Sequence, residues 1–349
     1  MNRKKVAVGM SGGVDSSVCV HLLKEQGYEV IGVTLELWRD APDTCEDVIE
    51  ARANADEMGV EHHVVHGKPE FEAAVVDYFV DEYLLGRTPN PCVRCNPTIK
   101  WKLLLDAADR LGAEYVATGH YAKVEKLKNG RYGILTAKDE KKDQSYVLAQ
   151  LSQEQLSRTL LPLGEYTKPE IRKIAKNLGL TSAEKKDSQD ICFIDDGDYG
   201  RFLSDRLGEK LPPEGDFVMS DGTVVGRHKG ITNYTIGQRK GLGIALGERV
   251  FVNRIDIEKN QVVLGTDSEV YSDSLTAGTW NMISEESLDP KKEYTGRIRY
   301  SNTGKRCRCE KLSECEYRVI FNEKIRGVTP GQTVAIYDGE LLVAGGIIR

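Results

Sequence analysis

The fold is decided by residues 6–17, which run Val6-Ala7-Val8-Gly9-Met10-Ser11-Gly12-Gly13-Val14-Asp15-Ser16-Ser17. An apolar strand pattern leads into a loop that combines three glycines, three serines and one aspartate, and a helical pattern follows. Glycine lets the backbone approach an anion, and a helix N-terminus offers free N–H groups and the positive end of its dipole. The Gly-Lys-Ser/Thr ending of a Walker A loop is absent, so the loop itself offers no lysine to a γ-phosphate. The stretch therefore predicts a phosphate-binding turn of another type.

Strand and helix patterns alternate behind this loop. Apolar runs at 30–33, 63–65 and 115–118 predict strands, and helical patterns that stop at Gly27 and Gly59 separate them. Such alternation favours an α/β fold in which helices cover both faces of a parallel sheet. From about residue 215, short alternating runs with Asp-Gly turns predict β structure instead. We therefore expect three domains, at 1–196, 197–270 and 271–349, of which the first is doubly wound and the others are small and β-rich.

The last helix that the pattern predicts in the first domain begins at Thr167-Lys168-Pro169-Glu170, which is a capping box. Apolar residues on one face follow it, and Gly179 supplies the stop.

Composition narrows the class of protein. The 349 residues carry a net charge of −6 and include eight cysteines. There is no run of about 18 apolar residues, and the apolar stretch near the N-terminus is too short for a signal sequence, so we expect a cytosolic protein. Cysteines there are typically reduced, catalytic or metal-bound rather than paired in disulfides. The negative charge is not that of a general nucleic-acid binder, so any RNA contact must depend on local basic patches.

A Cys-x-x-Cys pair stands at the entrance of another predicted helix. The surrounding stretch is Thr88-Pro89-Asn90-Pro91-Cys92-Val93-Arg94-Cys95-Asn96-Pro97. Asn96 fits an N-cap and Pro97 the first helical position. The helix dipole, Arg94 and Lys100 are then expected to lower the pKa of Cys95, and a thiolate is the nucleophilic form. Half of a zinc site is the alternative, but no second Cys-x-x-Cys follows at zinc-ribbon spacing.

Cys192 is a second candidate reactive cysteine, within Lys186-Asp187-Ser188-Gln189-Asp190-Ile191-Cys192-Phe193-Ile194. A buried core cysteine is the alternative for this position. The remaining cysteines are interpreted as ordinary side chains: Cys19, Cys45, Cys307, Cys309 and Cys315.

Two resemblances sharpen these expectations. The loop at 11–16 resembles the PP-loop of ATP pyrophosphatases, which cleave ATP between the α and β phosphates. Further motifs, in order along essentially the whole chain, resemble those of tRNA-uridine 2-sulfurtransferases, the 2-thiouridylases that act on the wobble uridine. These motifs are at 90–96, 117–121, 142–146, 187–194, 226–230, 234–243 and 329–332. The resemblance implies an N-terminal PP-loop domain followed by two β-rich domains, the last a β-barrel.

The resemblance also implies roles for particular residues. Cys95 matches the family's nucleophile and Cys192 its persulfide carrier. The nucleotide-contacting positions are Gly9, Met10, Ser11, Gly12, Gly13, Val14, Asp15, Ser16, Leu35 and Gly119, with Asp15 near the phosphates and Mg²⁺. The target base is expected at Asn90, Pro91 and Cys92, and other tRNA contacts at His120, Lys142, Asp143, Gln144, Arg299, Tyr300 and Gln332.

Cys92 is a departure from the family, because many members carry an aspartate with an acid/base role at this position. A third thiol beside Cys95 and Cys192 leaves two routes open. One is persulfide chemistry, and the other is a [4Fe-4S] cluster held by the three cysteines, since thiolates are the usual cluster ligands.

The expected reaction is ATP-dependent 2-thiolation of the wobble uridine, by transfer of AMP onto the C2 oxygen and then of sulfur from Cys192. Cys95 would attack the S–S bond and leave a disulfide to be reduced. The implied partners are the anticodon loops of the Lys, Glu and Gln tRNAs and a cysteine desulfurase or sulfur-relay protein. Four cations in an acid-free stretch predict phosphate contacts: Arg227, Lys229, Arg239 and Lys240.

Two other functions remain open at this point. A different PP-loop ligase, such as an amide-forming synthetase, needs neither reactive thiols nor a β-rich RNA-binding half. A non-catalytic RNA-binding or iron–sulfur carrier protein has no use for the PP-loop.

Overall fold

The computed structural model describes residues 3–38, 45–185, 191–194, 196–300 and 303–349. Cys192 is within these ranges, whereas residues 186–190 of its motif lie outside the described residues. No helix in the described ranges is long and apolar enough to cross a membrane.

Secondary structure follows the predicted change of pattern along the chain. The described α-helices are α1 (Val14–Glu25), α2 (Glu46–Glu57), α3 (Lys68–Phe71), α4 (Asp77–Leu84), α5 (Pro91–Cys95), α6 (Trp101–Leu111), α7 (Gln153–Ser157), α8 (Lys168–Asn177) and α9 (Tyr199–Leu207). The strands of the first domain are β1 (Lys5–Gly9), β2 (Glu29–Glu36), β3 (Glu61–His66), β4 (Tyr115–Ala117), β5 (Lys123–Lys126), β6 (Tyr132–Leu135) and β7 (Thr159–Leu160). The later strands are β8 (Gly215–Met219), β9 (Val224–His228), β10 (Phe251–Asp256), β11 (Gln261–Gly265), β12 (Tyr271–Met282), β13 (Tyr294–Arg297), β14 (Lys305–Ser313), β15 (Glu316–Arg326), β16 (Thr333–Asp338) and β17 (Leu341–Ile348). Two π-helical turns, Glu72–Val76 and Asn96–Lys100, connect α3 with α4 and α5 with α6.

Five described strands form the parallel sheet of the first domain, in the order β3-β2-β1-β4-β7. The chain moves from β1 to one side of the sheet and returns to the other side with β4, so the strand order reverses there. Ligands of open α/β sheets bind beyond the carboxyl ends of the strands at such a switch point. The loop at 9–16 follows β1 at this place, and the predicted doubly wound α/β fold is confirmed.

Alternate residues of β1 pack into different cores. Val6 and Val8 are fully buried and join Val18 of α1 in one apolar cluster. Ala7 between them belongs to another cluster with Leu104 of α6. Because both faces of this strand are buried, its residues do not alternate between apolar and polar, which explains the continuous apolar run. The strand is thus a rigid base for the loop that follows it.

The β-rich part of the chain forms two further sheets. Strands β8 to β11 form a four-stranded sheet in the order β10-β11-β8-β9. Strands β12 to β17 close into a barrel in the order β12-β15-β14-β13-β16-β17, because β12 also pairs with β17. Closure removes free strand edges from these six described strands. The predicted β-rich central domain and C-terminal β-barrel are confirmed.

The first domain also adds a hairpin to the barrel sheet. Strands β5 and β6 pair with each other, and β6 pairs with β17 through Leu135 with Leu341 and Ile134 with Leu342. The sequence patterns did not predict this pairing, because its partners belong to different expected domains. The division at residues 196 and 270 stays a prediction.

Candidate active site

The phosphate loop joins β1 to α1 without a side-chain cap. Gly13 stands at the N-cap and has no side chain with which to cap the N–H groups of the first turn. Ser16 Oγ donates to the Gly13 carbonyl at 3.0 Å and accepts from the Ser11 N–H at 3.3 Å. Gly12 has a φ of +70°, and a Cβ at this position would lie 2.8 Å from a Glu50 carboxylate oxygen. The loop therefore needs glycine at position 12 and has the geometry of an anion site.

Asp15, the acid of this loop, is held by two side chains from elsewhere in the chain. Lys168 Nζ lies 2.8 Å and 2.7 Å from its two carboxylate oxygens, and the Tyr121 hydroxyl donates to Oδ1 at 2.7 Å. Gly119 packs directly on the loop, since a Cβ there would lie 2.9 Å from the Asp15 carbonyl carbon and the Ser16 nitrogen. The loop after β4 therefore touches the phosphate loop.

The other predicted nucleotide positions lie at the carboxyl edge of the same sheet. The buried Met10 donates its N–H to the Val33 carbonyl at 2.8 Å, and its carbonyl accepts from Thr34 Oγ1 at 2.9 Å. Leu35 follows on β2, next to the strand that carries the loop. Val14 is buried at the start of α1. Their contact with a nucleotide stays a prediction.

The helix that carries the Cys-x-x-Cys pair begins earlier than predicted. Asn90 is the N-cap, since its side chain accepts from the Val93 N–H at 3.3 Å, and Pro91 takes the first helical position. Helix α5 then includes Cys95. The prediction that Cys95 stands just before a helix that begins at Asn96 and Pro97 is therefore wrong.

The second Asn-Pro pair lies inside this helical run rather than at its start. The Asn96 side chain donates to the Val147 carbonyl at 2.8 Å, which is a tertiary contact that sequence spacing does not show. Pro97 lacks an N–H group, and the π-helical turn Asn96–Lys100 contains it. Such turns accommodate irregularities within helices and are frequent at functional sites.

The predicted lowering of the Cys95 pKa is also wrong. Burial raises the pKa of this thiol to about 11, and the nearby Lys100 ammonium offsets only part of that rise. Arg94 points elsewhere, since its guanidinium lies over the Tyr78 ring at 5.3 Å and donates to the Ala74 carbonyl at 3.3 Å. Loss of solvent outweighs the attraction of one cation, so Cys95 is a protonated thiol at neutral pH.

Cys192 comes close to the Cys-x-x-Cys pair despite its distance in sequence. Phe193, the next residue, packs in the same apolar cluster as Cys95. Burial, followed by the charges of Cys95 and Cys92, raises the pKa of Cys192 to about 12, while Lys100 opposes the rise. Cys192 as a residue is nevertheless exposed, with its thiol crowded by protein atoms at the surface, whereas Cys95 is buried. The structure therefore brings the three thiols and one ammonium group together.

These thiols do not form a ready cluster site. In the part of the chain that the structure describes, no three Cys, His, Asp or Glu side chains lie at metal-binding spacing. Burial raises the pKa of Cys92 as well as those of Cys95 and Cys192, so a metal would have to displace their protons on binding. A [4Fe-4S] cluster held by these three cysteines therefore stays a prediction from the sequence.

His120 belongs to the loop that touches the phosphate loop, and it also interacts with Lys100. It follows Gly119, its Nδ1 is 2.8 Å from Thr118 Oγ1, and its ring packs against Trp101 at 5.5 Å. Burial, and then the charge of Lys100, holds the pKa of His120 well below its ordinary value, so the imidazole is neutral. Because Lys100 also interacts with the thiols, this loop joins the two halves of the site.

The predicted tRNA contacts at 142–144 differ in what they touch. Asp143 is buried and accepts a hydrogen bond from Arg297 Nη1 at 2.7 Å, which ties the first domain to the barrel. Gln144 makes two hydrogen bonds with the Tyr121 backbone, of 2.9 Å and 2.7 Å. Lys142 is half-buried. Asp143 therefore forms a buried ion pair within the protein, which the resemblance did not indicate.

Tyr300 is the predicted tRNA contact that lies most openly beside the thiols. Its side chain is 47% exposed and interacts electrostatically with Lys142 and Cys92. Its neighbour Arg299 is half-buried and donates from Nη2 to the Gly327 carbonyl at 2.8 Å. An exposed aromatic ring thus stands at the edge of the thiol site.

The barrel supports the segment that leads to the cysteines. Gln332 Nε2 donates to the Thr88 carbonyl at 2.7 Å, and the Thr88 N–H donates to the Pro330 carbonyl at 2.9 Å. These bonds hold the chain just before Asn90, so Gln332 and the predicted base-contacting residues at 90–92 lie together.

The four cations named from the sequence are exposed: Arg227, Lys229, Arg239 and Lys240. Arg227 pairs with Asp216 on the neighbouring strand at 2.9 Å, so this cation is partly neutralised. The last two line a cavity of about 570 Å³ together with Arg249 and Arg326. The cavity lies where the central sheet meets the barrel.

Sequence reasoning missed Lys168 and Tyr121, which bind Asp15 from distant parts of the chain. The capping box at 167–170 is present, but as a pattern it indicated only the start of α8. A lysine in the first turn of a helix is disfavoured by the dipole. That unusual position is the signal that could have revealed a partner for Lys168.

Comparisons with known proteins agree with this geometry. Family profiles match three successive ranges: a "tRNA methyl transferase HUP domain" at residues 4–196, a "tRNA methyl transferase PRC-barrel domain" at 200–266 and an "Aminomethyltransferase beta-barrel domain" at 272–348. These descriptions name methyl transfer, whereas the curated relatives carry another name.

Similar relatives span the whole chain. The tRNA-specific 2-thiouridylase of Lachnoclostridium phytofermentans is 47% identical over 99% of this chain and 99% of its own length. A tRNA-specific 2-thiouridylase of Clostridium botulinum is 49% identical over the same shares, and that of Acetivibrio thermocellus is 46% identical over 100% of both chains. The chain therefore belongs to the family of tRNA-specific 2-thiouridylases, which are sulfurtransferase enzymes.

Proposed function

We propose that this chain uses ATP to replace the C2 oxygen of the wobble uridine in tRNA anticodons with sulfur. The observation that carries the proposal is that one loop contacts both the phosphate loop and the group that interacts with the three thiols. The loop 118–121 touches the phosphate loop at Asp15 and neighbours Lys100, which interacts with the three thiols. A nucleotide-activating site beside sulfur-handling groups is what a thiolation requires, and an amide-forming synthetase has no use for the thiols.

The first step activates the base. The C2 oxygen of uracil attacks the α-phosphorus of ATP, an O–P bond forms, and the bond between Pα and the bridging oxygen breaks. The electron pair leaves with pyrophosphate, for which the uncapped N–H groups of α1 are suitable partners. The C2 oxygen, a poor leaving group by itself, can then depart as part of AMP.

Asp15 is the carboxylate of the loop that would hold a Mg²⁺ ion. Mg²⁺ in phosphate sites is typically bound by one or two carboxylates together with phosphate oxygens, so this residue suits it. When bound, the ion neutralises phosphate charge.

The second step transfers sulfur. The terminal sulfur of a persulfide on Cys192 attacks C2, and AMP leaves. The Cys95 thiolate then attacks Cys192 Sγ, so that the S–S bond to the base breaks, 2-thiouridine is released and a Cys95–Cys192 disulfide forms. Two electrons from an external thiol reductant regenerate both thiols. Lys100 is placed to stabilise the thiolate that this step needs.

The difference in exposure between the two cysteines supports this division of roles. Cys192 is exposed, so a cysteine desulfurase or a sulfur-relay protein can load it. Cys95 is buried, which shields the attacking thiol from other electrophiles. The two thiols already interact electrostatically, and the residue after Cys192 packs in the cluster that contains Cys95, which supports exchange between them.

The target base must leave the anticodon stack to reach the thiols. Single-stranded loops allow this at low cost, and everted bases commonly stack on aromatic side chains. Tyr300 is suitably placed for such stacking beside Cys92. The exposed cations at 227–240 would contact tRNA phosphates, so affinity is expected to fall with salt. The resemblance to the family points to the Lys, Glu and Gln isoacceptors.

Single substitutions test the sulfur chemistry. Cys95→Ser and Cys192→Ser should each abolish 2-thiouridine formation, measured by mass spectrometry of digested tRNA, while ATP binding is retained. Cys315→Ser, on an exposed residue of the barrel, is the matched control and should keep full activity. Full activity of either of the first two variants would remove the assignment.

A second measurement separates thiolation from the amide-forming alternative. Release of AMP and pyrophosphate by the wild-type chain should be stimulated by unmodified tRNA and not by amino acids. Stimulation by an amino acid instead would favour the other class of PP-loop ligase, and no ATP turnover with tRNA and a sulfur donor would favour a non-catalytic carrier.

A further inference from the structure

Lys168 is a buried cation for which the sulfur chemistry has no use. Its side chain is only 9% exposed, and its ammonium contacts both carboxylate oxygens of Asp15 at 2.8 Å and 2.7 Å. Asp15 itself is 32% exposed, so the pair opens toward solvent on the side of the loop. Burying a charged ammonium group costs free energy, so a buried lysine beside a phosphate-binding loop is expected to have a function there.

The backbone around Lys168 holds this ammonium group in position. The Lys168 N–H donates to Asp139 Oδ2 at 2.9 Å, and Glu170 accepts from the Thr167 N–H at 2.6 Å in the capping box. The first turn of α8 is thus anchored at two points. Because the helix dipole disfavours a cation there, the position is maintained against local preference.

The phosphate loop lacks a cation of its own. A Walker A loop supplies a lysine to the phosphates, whereas this loop ends in Val14-Asp15-Ser16-Ser17. The nearest charge in the loop is the carboxylate of Asp15, which repels pyrophosphate when no metal ion is bound. Lys168 neutralises that carboxylate and places a positive charge at the same spot, from a residue 153 positions away in sequence.

We infer that Lys168 is the phosphate-binding lysine of this enzyme and that its ligand is the pyrophosphate part of ATP. The inference rests on the proposed function and names a residue for its first step. In the open site, Asp15 holds the ammonium in place. As the bond between Pα and the bridging oxygen breaks, the departing electron pair and its charge on pyrophosphate are stabilised by this ammonium, as they are by the lysine of other phosphate loops.

The test compares binding of inorganic pyrophosphate and of AMP to the full chain, by calorimetry in the presence of a chelator so that no metal contributes. Lys168→Gln should weaken pyrophosphate binding by at least about tenfold, since a hydrogen bond to a charged group is lost, and should leave AMP binding within about twofold. Lys168→Arg should restore most of the affinity. Lys138→Gln is the matched control, because Lys138 is an exposed lysine that pairs with Glu170 in the same helix cap.

The Asp15→Asn variant tests whether Lys168 contacts pyrophosphate directly or only supports Asp15 in the loop. If Lys168 binds pyrophosphate, removing the Asp15 carboxylate releases the ammonium from this one partner and removes repulsion, so pyrophosphate should bind more tightly than to the wild type. If Lys168 only supports Asp15, the Asp15→Asn and Lys168→Gln variants should both weaken binding, and the inference is overturned. The Asp15→Asn/Lys168→Gln double variant keeps a neutral hydrogen-bonding pair and should still lose pyrophosphate affinity, which covers the case of a single variant that does not fold.

These measurements distinguish failure of the proposed function from failure of the role of Lys168. A wild-type chain that binds neither pyrophosphate nor AMP, with Mg²⁺ as well as with the chelator, would refute ATP use itself. A wild type that binds both, with unchanged pyrophosphate binding in Lys168→Gln, would refute only the role of Lys168.

Discussion

The reactivity of Cys95 is the most direct consequence of its burial. Its pKa is raised from an ordinary value of 9.0 to about 11, so the protonated form is the one that the fold favours. At pH 8, about one-thousandth of such a thiol is ionised, against about one-tenth for a thiol at the ordinary value. A thiolate of higher pKa is the stronger nucleophile, which recovers a factor of roughly 6–10 over two pKa units. Cys95 should therefore react with a small disulfide about 10–15-fold more slowly than an ordinary thiol, before any steric protection.

The assay is modification by a neutral aromatic disulfide, followed by mass spectrometry of the peptides from pH 7 to pH 10. The exposed Cys315 of the same chain serves as the reference for reagent and time. The Cys95 rate should keep rising with pH up to the end of this range, because ionisation is incomplete until the pH passes its pKa. Lys100→Gln should slow the reaction further, and Lys102→Gln, on an exposed residue of the helix that follows, should not. A rate that levels off below pH 9 would refute the reasoning.

Three further predictions follow from contacts in and around the site. Asp143→Asn breaks a buried ion pair with Arg297 and should lower the free energy of unfolding by about 3 kcal/mol in urea, with tRNA affinity per folded molecule unchanged. Lost affinity at unchanged stability would instead support the tRNA contact expected from the sequence. Gly119→Ala places a Cβ 2.9 Å from the phosphate-loop backbone, and overpacking of about 1–3 kcal/mol should reduce ATP affinity about tenfold in calorimetry. Unchanged affinity would contradict this close contact. Tyr300→Ala should weaken tRNA binding about 5- to 100-fold in a filter-binding assay, whereas Tyr300→Phe keeps the stacking ring and should bind like the wild type. An equal loss in both variants would assign the effect to the hydroxyl group.

The phosphate loop could be predicted because its determinants are local. A strand, a glycine turn and a helix within residues 5–25 define it, and each has a signature of its own in the sequence. The parallel sheet followed from the alternation of strands with helices for the same reason. The two cysteines could be named as a pair from family motifs, yet the motifs contain no distances.

The errors arose where two local solutions compete or where burial decides. Asn90-Pro91 and Asn96-Pro97 both fit a helix start, and the contact of Asn96 with Val147 decides between them. The cations beside Cys95 are visible in the sequence, whereas the apolar cluster that desolvates its thiol is assembled from several helices. Lys168 was missed because its partner lies 153 residues away.

The hairpin β5–β6 has a consequence for how the enzyme is made. Strand β6 of this hairpin pairs with β17 (Leu341–Ile348) of the barrel. Gln332 of the barrel supports the segment before the cysteines. N-terminal domains generally fold first as a chain leaves the ribosome, but here part of the first domain waits for strands synthesised much later. A nascent chain that ends before residue 332 would carry the phosphate loop and both candidate cysteines with no barrel to support the segment before Asn90. Thiolation competence should therefore emerge abruptly, late in translation.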